Sequence, residues 1–424
     1  MLWVPHISLL RCGFVAATLE PVPQRFSSRT QWDSAEDAYT LALREARAAG
    51  TPLIDLTASN PTACGLTFAA ETILAPLSNP AALVYDPDPR GMRAAREAVA
   101  RYYADHNATV DPDDILLTTS TSEAYSYLFR LLCDPGDELL TPQPSYPLFD
   151  LLAGLENVVL KPYPLFYDPG GGDHGWCIDT AALEQAITPR TRAILLVHPN
   201  NPTGHFTSAE ERRAVEAICA RHNLALIVDE VFLDYAISDA AREHAVSFAT
   251  GNSPVLTFVL SGMSKIAALP QMKASWLICR GPAEAKQAAL TRLEVIADTF
   301  LSTNAPVQLA LPAWLAARHG IQQQIRTRVR ANFAAAQAVC GDELGWLDWQ
   351  AGWSLVLRVP AGEDDHELAA RLVREAGVIV HPGSFYGMAR AGRLVVSLLP
   401  EEPVFTKGME RLARAIRVHK QESR

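Results

Sequence analysis

The sequence contains no C-x-x-C pair and no H-x-x-x-H pair beside a carboxylate. It also lacks an apolar run of the roughly 18 residues that a membrane helix needs. Seven cysteines are scattered at Cys12, Cys64, Cys133, Cys177, Cys219, Cys279 and Cys340. An odd, dispersed set indicates neither a disulfide frame nor a zinc site, and reads as free thiols in a reducing compartment. Metal catalysis gains no support from this pattern. Positive charge is also short: 37 Lys and Arg stand against 47 Asp and Glu, giving a net charge of -10. That balance argues against binding a phosphate backbone, so neither nucleic acid nor membrane is an expected partner. The expected location is cytoplasmic. Met1 to Glu20 is apolar but has no charged opening before its apolar run, unlike a signal peptide. It reads as a disordered extension or as a start codon called too early.

At 424 residues with 49% hydrophobic and 20% charged residues, the chain can bury a large core without staples. Short apolar runs alternate with longer amphipathic ones from Ile115 onward. Ile115 to Leu117, Ala193 to Val197, Leu224 to Val228, Val255 to Leu260 and Trp276 to Cys279 read as strands buried on both faces. Between them, Ser208 to His222 reads as a helix opened by a capping box at Ser208 and Glu211. Earlier, Arg44 to Ala49 ends a helix and Ile54 to Leu56 reads as a short strand. The tail reads differently, with strands at Trp353 to Val359, Val378 to Val380 and Leu394 to Leu398. Helices at Asp365 to Glu375 and Val404 to Arg417 separate or follow them. The expected fold is α/β: a three-layer domain with a mainly parallel sheet, plus a smaller α+β C-terminal domain. The expected boundaries are 1–49 for an N-terminal extension and arm, 70–310 for the large domain, and 50–69 with 311–424 for the small one.

Four segments carry candidate chemistry. Asp229 ends an apolar strand, where open α/β sheets bind ligands, although many strands end in Asp for turn chemistry. Lys265, in Ser261-Gly262-Met263-Ser264-Lys265, follows the next strand and is either a desolvated nucleophilic amine or a surface lysine. Asn200-Asn201-Pro202-Thr203-Gly204 is a tight turn that could also aim the Asn201 amide into the same crevice. Thr118 to Glu123 lies between a strand and a helix, so Ser120, Thr121 and Ser122 form either a phosphate site or an ordinary N-cap.

Taken in chain order, with Pro144-Ser145-Tyr146-Pro147 between Thr118 to Glu123 and Asn200 to Gly204, and Asp229 and Lys265 following, the motifs resemble the class I/II aminotransferases of pyridoxal 5'-phosphate (PLP) fold type I. The resemblance extends from about Phe26 onward. It implies a Schiff base between Lys265 and PLP, with the freed amine later moving a proton. Asp229 would pair with the pyridine nitrogen, Asn201 would bond the 3'-oxygen and Tyr146 would stack on the ring. Ser120, Thr121, Ser122 and Ser264 would help hold the cofactor. Tyr85 would reach the phosphate in a partner subunit, implying a homodimer, unless it is a packed surface aromatic. The implied reaction is transfer of an amino group between an amino acid and a 2-oxo acid. A PLP-dependent lyase or decarboxylase is the alternative on the same scaffold, and a non-catalytic PLP-binding sensor is a further one.

Three departures stand out against that family. Phe232 replaces a tyrosine, removing one hydroxyl, for which Tyr235 could compensate if it is not structural. Lys273 replaces the phosphate-binding arginine, keeping charge but losing the two-pronged contact. The arginine that clamps the substrate carboxylate aligns with Val395. Arg393, two residues earlier, either spans that gap or is a solvated surface residue. Ser59 aligns with a glycine whose backbone meets the carboxylate, though Ser59-Asn60-Pro61 could be only a turn. Arg29 is another conceivable anion clamp, or a structural arm residue.

Overall fold

The computed structural model describes residues 26–31, 36–168, 175–341, 344–360 and 364–422. The reading of residues 1–20 therefore lies outside the described residues. A helix at Ala38–Ala48 leads into strand β1 (Ile54–Asp55). The large sheet is built from β2 (Ile115–Thr118), β3 (Glu138–Gln143), β4 (Val159–Tyr167), β5 (Trp176–Ile178), β6 (Thr191–Val197), β7 (Ala225–Asp229), β8 (Thr257–Gly262) and β9 (Ser275–Arg280). Its spatial order is β2-β9-β8-β7-β6-β3-β4-β5. The pairs β8/β7, β7/β6, β6/β3 and β3/β4 are parallel, whereas β9 and β5 join their neighbours antiparallel.

The continuous apolar character of β6, β7 and β8 follows from burial on both faces. Alternate residues feed two cores. Ile194, Leu196, Leu226, Val228 and Val259 face one side, where they pack with Tyr102, Tyr103 and Trp314. Leu195, Val197, Ile227, Phe258 and Leu260 face the other, against Tyr125, Leu128 and Leu293. This period of two places successive side chains on opposite faces, and the helices on each side cover them.

The tail contributes β12 (Val378–Ile379) and a second, four-stranded sheet from β10 (Gly345–Trp346), β11 (Ser354–Arg358), β13 (His381–Pro382) and β14 (Arg393–Ser397). The order β10-β11-β14-β13 is antiparallel throughout, while β12 pairs with β1 in parallel. Its core joins Leu355, Leu357, Leu394 and Val396 to Phe405 and Leu412 of the Glu402–Glu422 helix. The helix expected over Asp365 to Glu375 is α-helical to Arg371 and then widens into a π turn at Leu372–Ala376. Gly377 ends it at φ 63°, a left-handed stop that suits glycine.

The capping box is present in both directions. Ser208 Oγ accepts from the Glu211 N–H at 3.2 Å, and the Glu211 carboxylate accepts from the Ser208 N–H at 2.7 Å. These bonds satisfy donors at the start of the Ala209–His222 helix, which carries Val215 and Ile218 into the core. Ser208→Ala should lower unfolding stability by about 1 kcal/mol, read as a lower urea midpoint with an unchanged slope.

Candidate active site

Because β6, β7 and β8 run parallel, their carboxyl ends share one edge of the sheet. Asp229 is the last residue of β7, flanked in register by Val197 of β6 and Leu260 of β8. The chain leaves β8 through Gly262 into a single helical turn, Met263–Ile266, that carries Ser264 and Lys265. A side chain at Gly262 would sit 2.2 Å from Ser275 Oγ of β9, so the close approach of these strands requires glycine there. Tyr235 donates its hydroxyl to the Lys265 carbonyl at 2.6 Å and pins the turn. Its role is thus structural, and it does not replace the hydroxyl missing at Phe232.

These ends open into a cleft between the two sheets. Asp229 lies on its floor, 7% exposed, and accepts from Tyr125 Oη at 2.9 Å and the Val231 N–H at 3.1 Å. Burial pushes its pKa up to about 6, against the opposing pull of those two donors and of Lys265. Burial likewise lowers the Lys265 amine to about 8, against the attraction of Asp229. Lys265 Nζ stands 5.5 Å from the Phe232 ring centroid and 5.2 Å from that of Trp353. The amine is therefore desolvated between two aromatic walls, with one carboxylate as its charged neighbour in the cleft lining.

Of the residues singled out from sequence, Ser59, Thr121, Tyr146, Asn201, Asp229, Ser264 and Lys265 line this cleft. Asn201 Oδ1 accepts from Ser354 Oγ at 3.2 Å, which orients the amide and ties β11 to the large sheet's edge. Ser120, Ser122, Lys273, Tyr85, Arg393 and Arg29 do not line it. Ser120 is the N-cap of the Thr121–Leu132 helix, its Oγ accepting from the Glu123 N–H at 3.1 Å. Ser122 lies within that helix's first turn. Lys273 adopts a left-handed conformation at φ 53° before β9 and is exposed. Tyr85 is 78% exposed. Arg393, weighed as a spanning clamp or a solvated surface residue, is buried and does not line the cleft. Its backbone runs beside Gly383, and its buried guanidinium folds back to donate to the Gly392 carbonyl at 2.9 Å. Arg29 is exposed and donates to the Leu155 carbonyl at 3.2 Å, away from the lining.

Sequence reasoning missed Tyr125, Trp353, Ser354, His381 and Tyr386. Tyr125 lies one helical turn beyond Thr121, a spacing that points both residues down the same face. No local pattern marks the others, which reach the cleft only through the packing of the second sheet against the first.

The donor set fits PLP. A buried carboxylate held by neutral donors suits a protonated ring nitrogen, a helix start with Thr121 suits a phosphate, and Lys265 supplies the amine. An α/β sheet with a buried lysine and aspartate at neighbouring strand ends defines an enzyme of transaminase architecture. The chain belongs to the aminotransferase class I and II family, whose profile matches residues 51–412. The glutamate-pyruvate aminotransferase AlaA of Escherichia coli K12 is 29% identical over 278 residues, covering 65% of this chain and 66% of that protein, slightly under two thirds. An aspartate aminotransferase of Streptomyces avermitilis is 25% identical over 95% of this chain and 99% of its own. The solved alanine aminotransferase of Pyrococcus furiosus superposes with a TM-score of 0.79 at 22% identity, over 93% of this chain and 100% of that one, and so supports the fold.

The raised Asp229 pKa has a thermodynamic consequence. In cofactor-free protein the folded state holds a proton on Asp229 that the unfolded chain releases near pH 4. Its contribution is full below pH 4 and is lost as pH rises through about 6. Relative to Asp229→Asn, the wild type should lose about 3 kcal/mol across that window, measured by denaturation at a series of pH values.

Proposed function

We propose that this enzyme binds PLP on Lys265 and transfers an amino group between an amino acid and a 2-oxo acid. The observation that carries the proposal is the Lys265–Asp229 pair, two buried ionisable groups at the ends of adjacent parallel strands with their pKa values drawn toward neutrality. When bound, PLP supplies an electron sink and a temporary carrier for the amino group. Asp229 holds positive charge at the ring nitrogen, and Tyr125 fixes the carboxylate's orientation. Lys265, whose amine has a pKa lowered to about 8, would carry a proton between the substrate α-carbon and the cofactor's C4' carbon. Tyr146 would pack on the ring, Asn201 would present its amide to the ring's oxygen, and Thr121 and Ser264 would hold the phosphate.

Among the described residues no helix is long and apolar enough to cross a membrane. A cytoplasmic homodimer is part of the proposal. Leu83, Val84 and Tyr85 form an exposed run, which supports a site where Tyr85 serves the partner's cofactor rather than its own. The division into a large domain over 70–310 and a small one over 50–69 and 311–424 belongs to the same reading.

The test is the visible absorption of PLP-loaded protein. A band that an amino acid bleaches and a 2-oxo acid restores is expected, and Lys265→Ala should lower turnover about 1,000-fold or more. Release of ammonia or carbon dioxide without reversible bleaching would instead establish a lyase or decarboxylase.

A further inference from the structure

The cleft's second wall comes from β13 and β14, and it contains a buried polar atom without a partner. His381 is 3% exposed and lines the cleft. Its Nδ1 meets Tyr386 Oη at 3.0 Å, while its Nε2 has no hydrogen-bond partner among the described residues. Orphaned buried polar atoms are uncommon and costly, and one on a residue that lines a cleft marks a place where a ligand could complete the bonding. His381 is also the direct cross-strand partner of Val395, the position where the family resemblance expects the carboxylate-clamping arginine. Paired residues on adjacent antiparallel strands stand about 5 Å apart on the same face, so His381 looks onto the space that such an arginine would fill.

The charge census there is short. Among the described residues, Lys265 and Asp229 are the only lining groups that carry formal charge. Arg393 is turned away, as described above. Burial holds His381 down to about 3, so the imidazole is neutral throughout the working range. Burial also raises the Tyr386 phenol, which keeps its proton. If the phenol donates to Nδ1, the ring proton sits on Nε2, the unpartnered atom of a residue that lines the cleft. If Nδ1 donates instead, the phenol proton is released toward the cleft that Tyr386 also lines. Either way the pair delivers one neutral donor. Ser397 of β14 and Ser354 of β11, themselves cross-strand partners, place hydroxyls along the same wall.

We propose that the His381–Tyr386 pair is the anchor for the substrate's carboxyl group, and that this neutral anchor admits amino-acid amides alongside amino acids. The proposal rests on the PLP reading above. A bidentate guanidinium discriminates strongly for a carboxylate, because it supplies charge and matched geometry together. A single neutral donor bonds a carboxylate oxygen and an amide oxygen alike, so recognition loses most of its dependence on charge. His381 would then set binding more than turnover, since it touches the carboxyl end rather than the reacting α-carbon.

The test uses PLP-loaded protein and two probes that lack an α-hydrogen, 2-aminoisobutyric acid and its amide. Both can displace Lys265 and shift the visible band, but neither can complete transamination. Dissociation constants within about tenfold of each other are expected in the wild type. His381→Leu should weaken both probes about tenfold or more, and His381→Gln, which keeps a donor, should recover most of the loss. Val395→Arg should tighten the acid over the amide by about tenfold or more. A wild type that prefers the acid by about a hundredfold or more would overturn the proposal, since a cation must then meet the carboxylate. An unchanged His381→Leu would also overturn it. Absence of any visible band in loaded protein would sink the PLP reading itself, whereas a normal band that neither probe shifts would reject only the anchor.

Discussion

Desolvation of two opposite charges at one sheet edge is the constraint on which the rest of the site depends. Asp229 and Lys265 sit at the ends of neighbouring strands, and for each of them burial outweighs the attraction of the other. In water the pKa values of both groups would lie far from neutrality. Inside the sheet edge the carboxyl rises and the amine falls, until both can change state under ordinary conditions. Everything nearby serves to keep that pair dry and oriented. Tyr125 fixes the carboxylate, Tyr235 pins the turn that carries the lysine, and the Phe232 and Trp353 rings enclose the amine. Trp353 in turn packs edge-on against both Phe232 and Tyr235, at 4.7 and 5.1 Å between ring centroids. The second sheet is therefore part of the enclosure and does more than cap the first.

That arrangement explains which parts of the fold were legible. β6, β7 and β8 are buried on both faces, so burial itself writes an unbroken apolar run that can be read without a structure. β4 carries Pro162 and Pro164 and leaves Val159, Pro162, Pro164 and Phe166 exposed, and β3 contains Pro142. Proline and exposure remove the signals by which a strand is recognised, and these strands toward the sheet's far end went unread. The capping box at Ser208 was readable because its two bonds connect residues three apart.

The site divides along the same line. Asp229, Asn201 and Lys265 sit just past strands whose ends are local features, so their convergence follows from strand order alone. Ser120 and Ser122 belong to the same helix start as Thr121, but capping geometry commits Ser120 to the backbone, which sequence spacing cannot distinguish from ligand binding. Lys273 and Arg393 were read by alignment to charges the family uses. Lys273 is turned out by its own backbone conformation, and Arg393 by the carbonyl it bonds. His381, Tyr386 and Trp353 reach the cleft through contacts between segments more than 100 residues apart, for which one sequence holds no record.

Val395, where the family resemblance implies a carboxylate-binding arginine, looks like a defect when that position is considered alone. Its strand neighbours suggest otherwise. A defect would leave either a gap or a hydrated surface, but Val395 is 2% exposed and its cross-strand partner is a buried histidine bonded to a buried tyrosine. Burying two polar rings costs free energy unless their bonding is completed, and the Tyr386 contact completes only one side of the imidazole. A wall of neutral donors next to a retained lysine and aspartate is what a site would need if its reaction were kept while its demand for a charged substrate end was relaxed. Under the proposed reading the reacting pair comes from the large sheet and the substrate wall from the small one. Because different sheets supply them, one can change without disturbing the other.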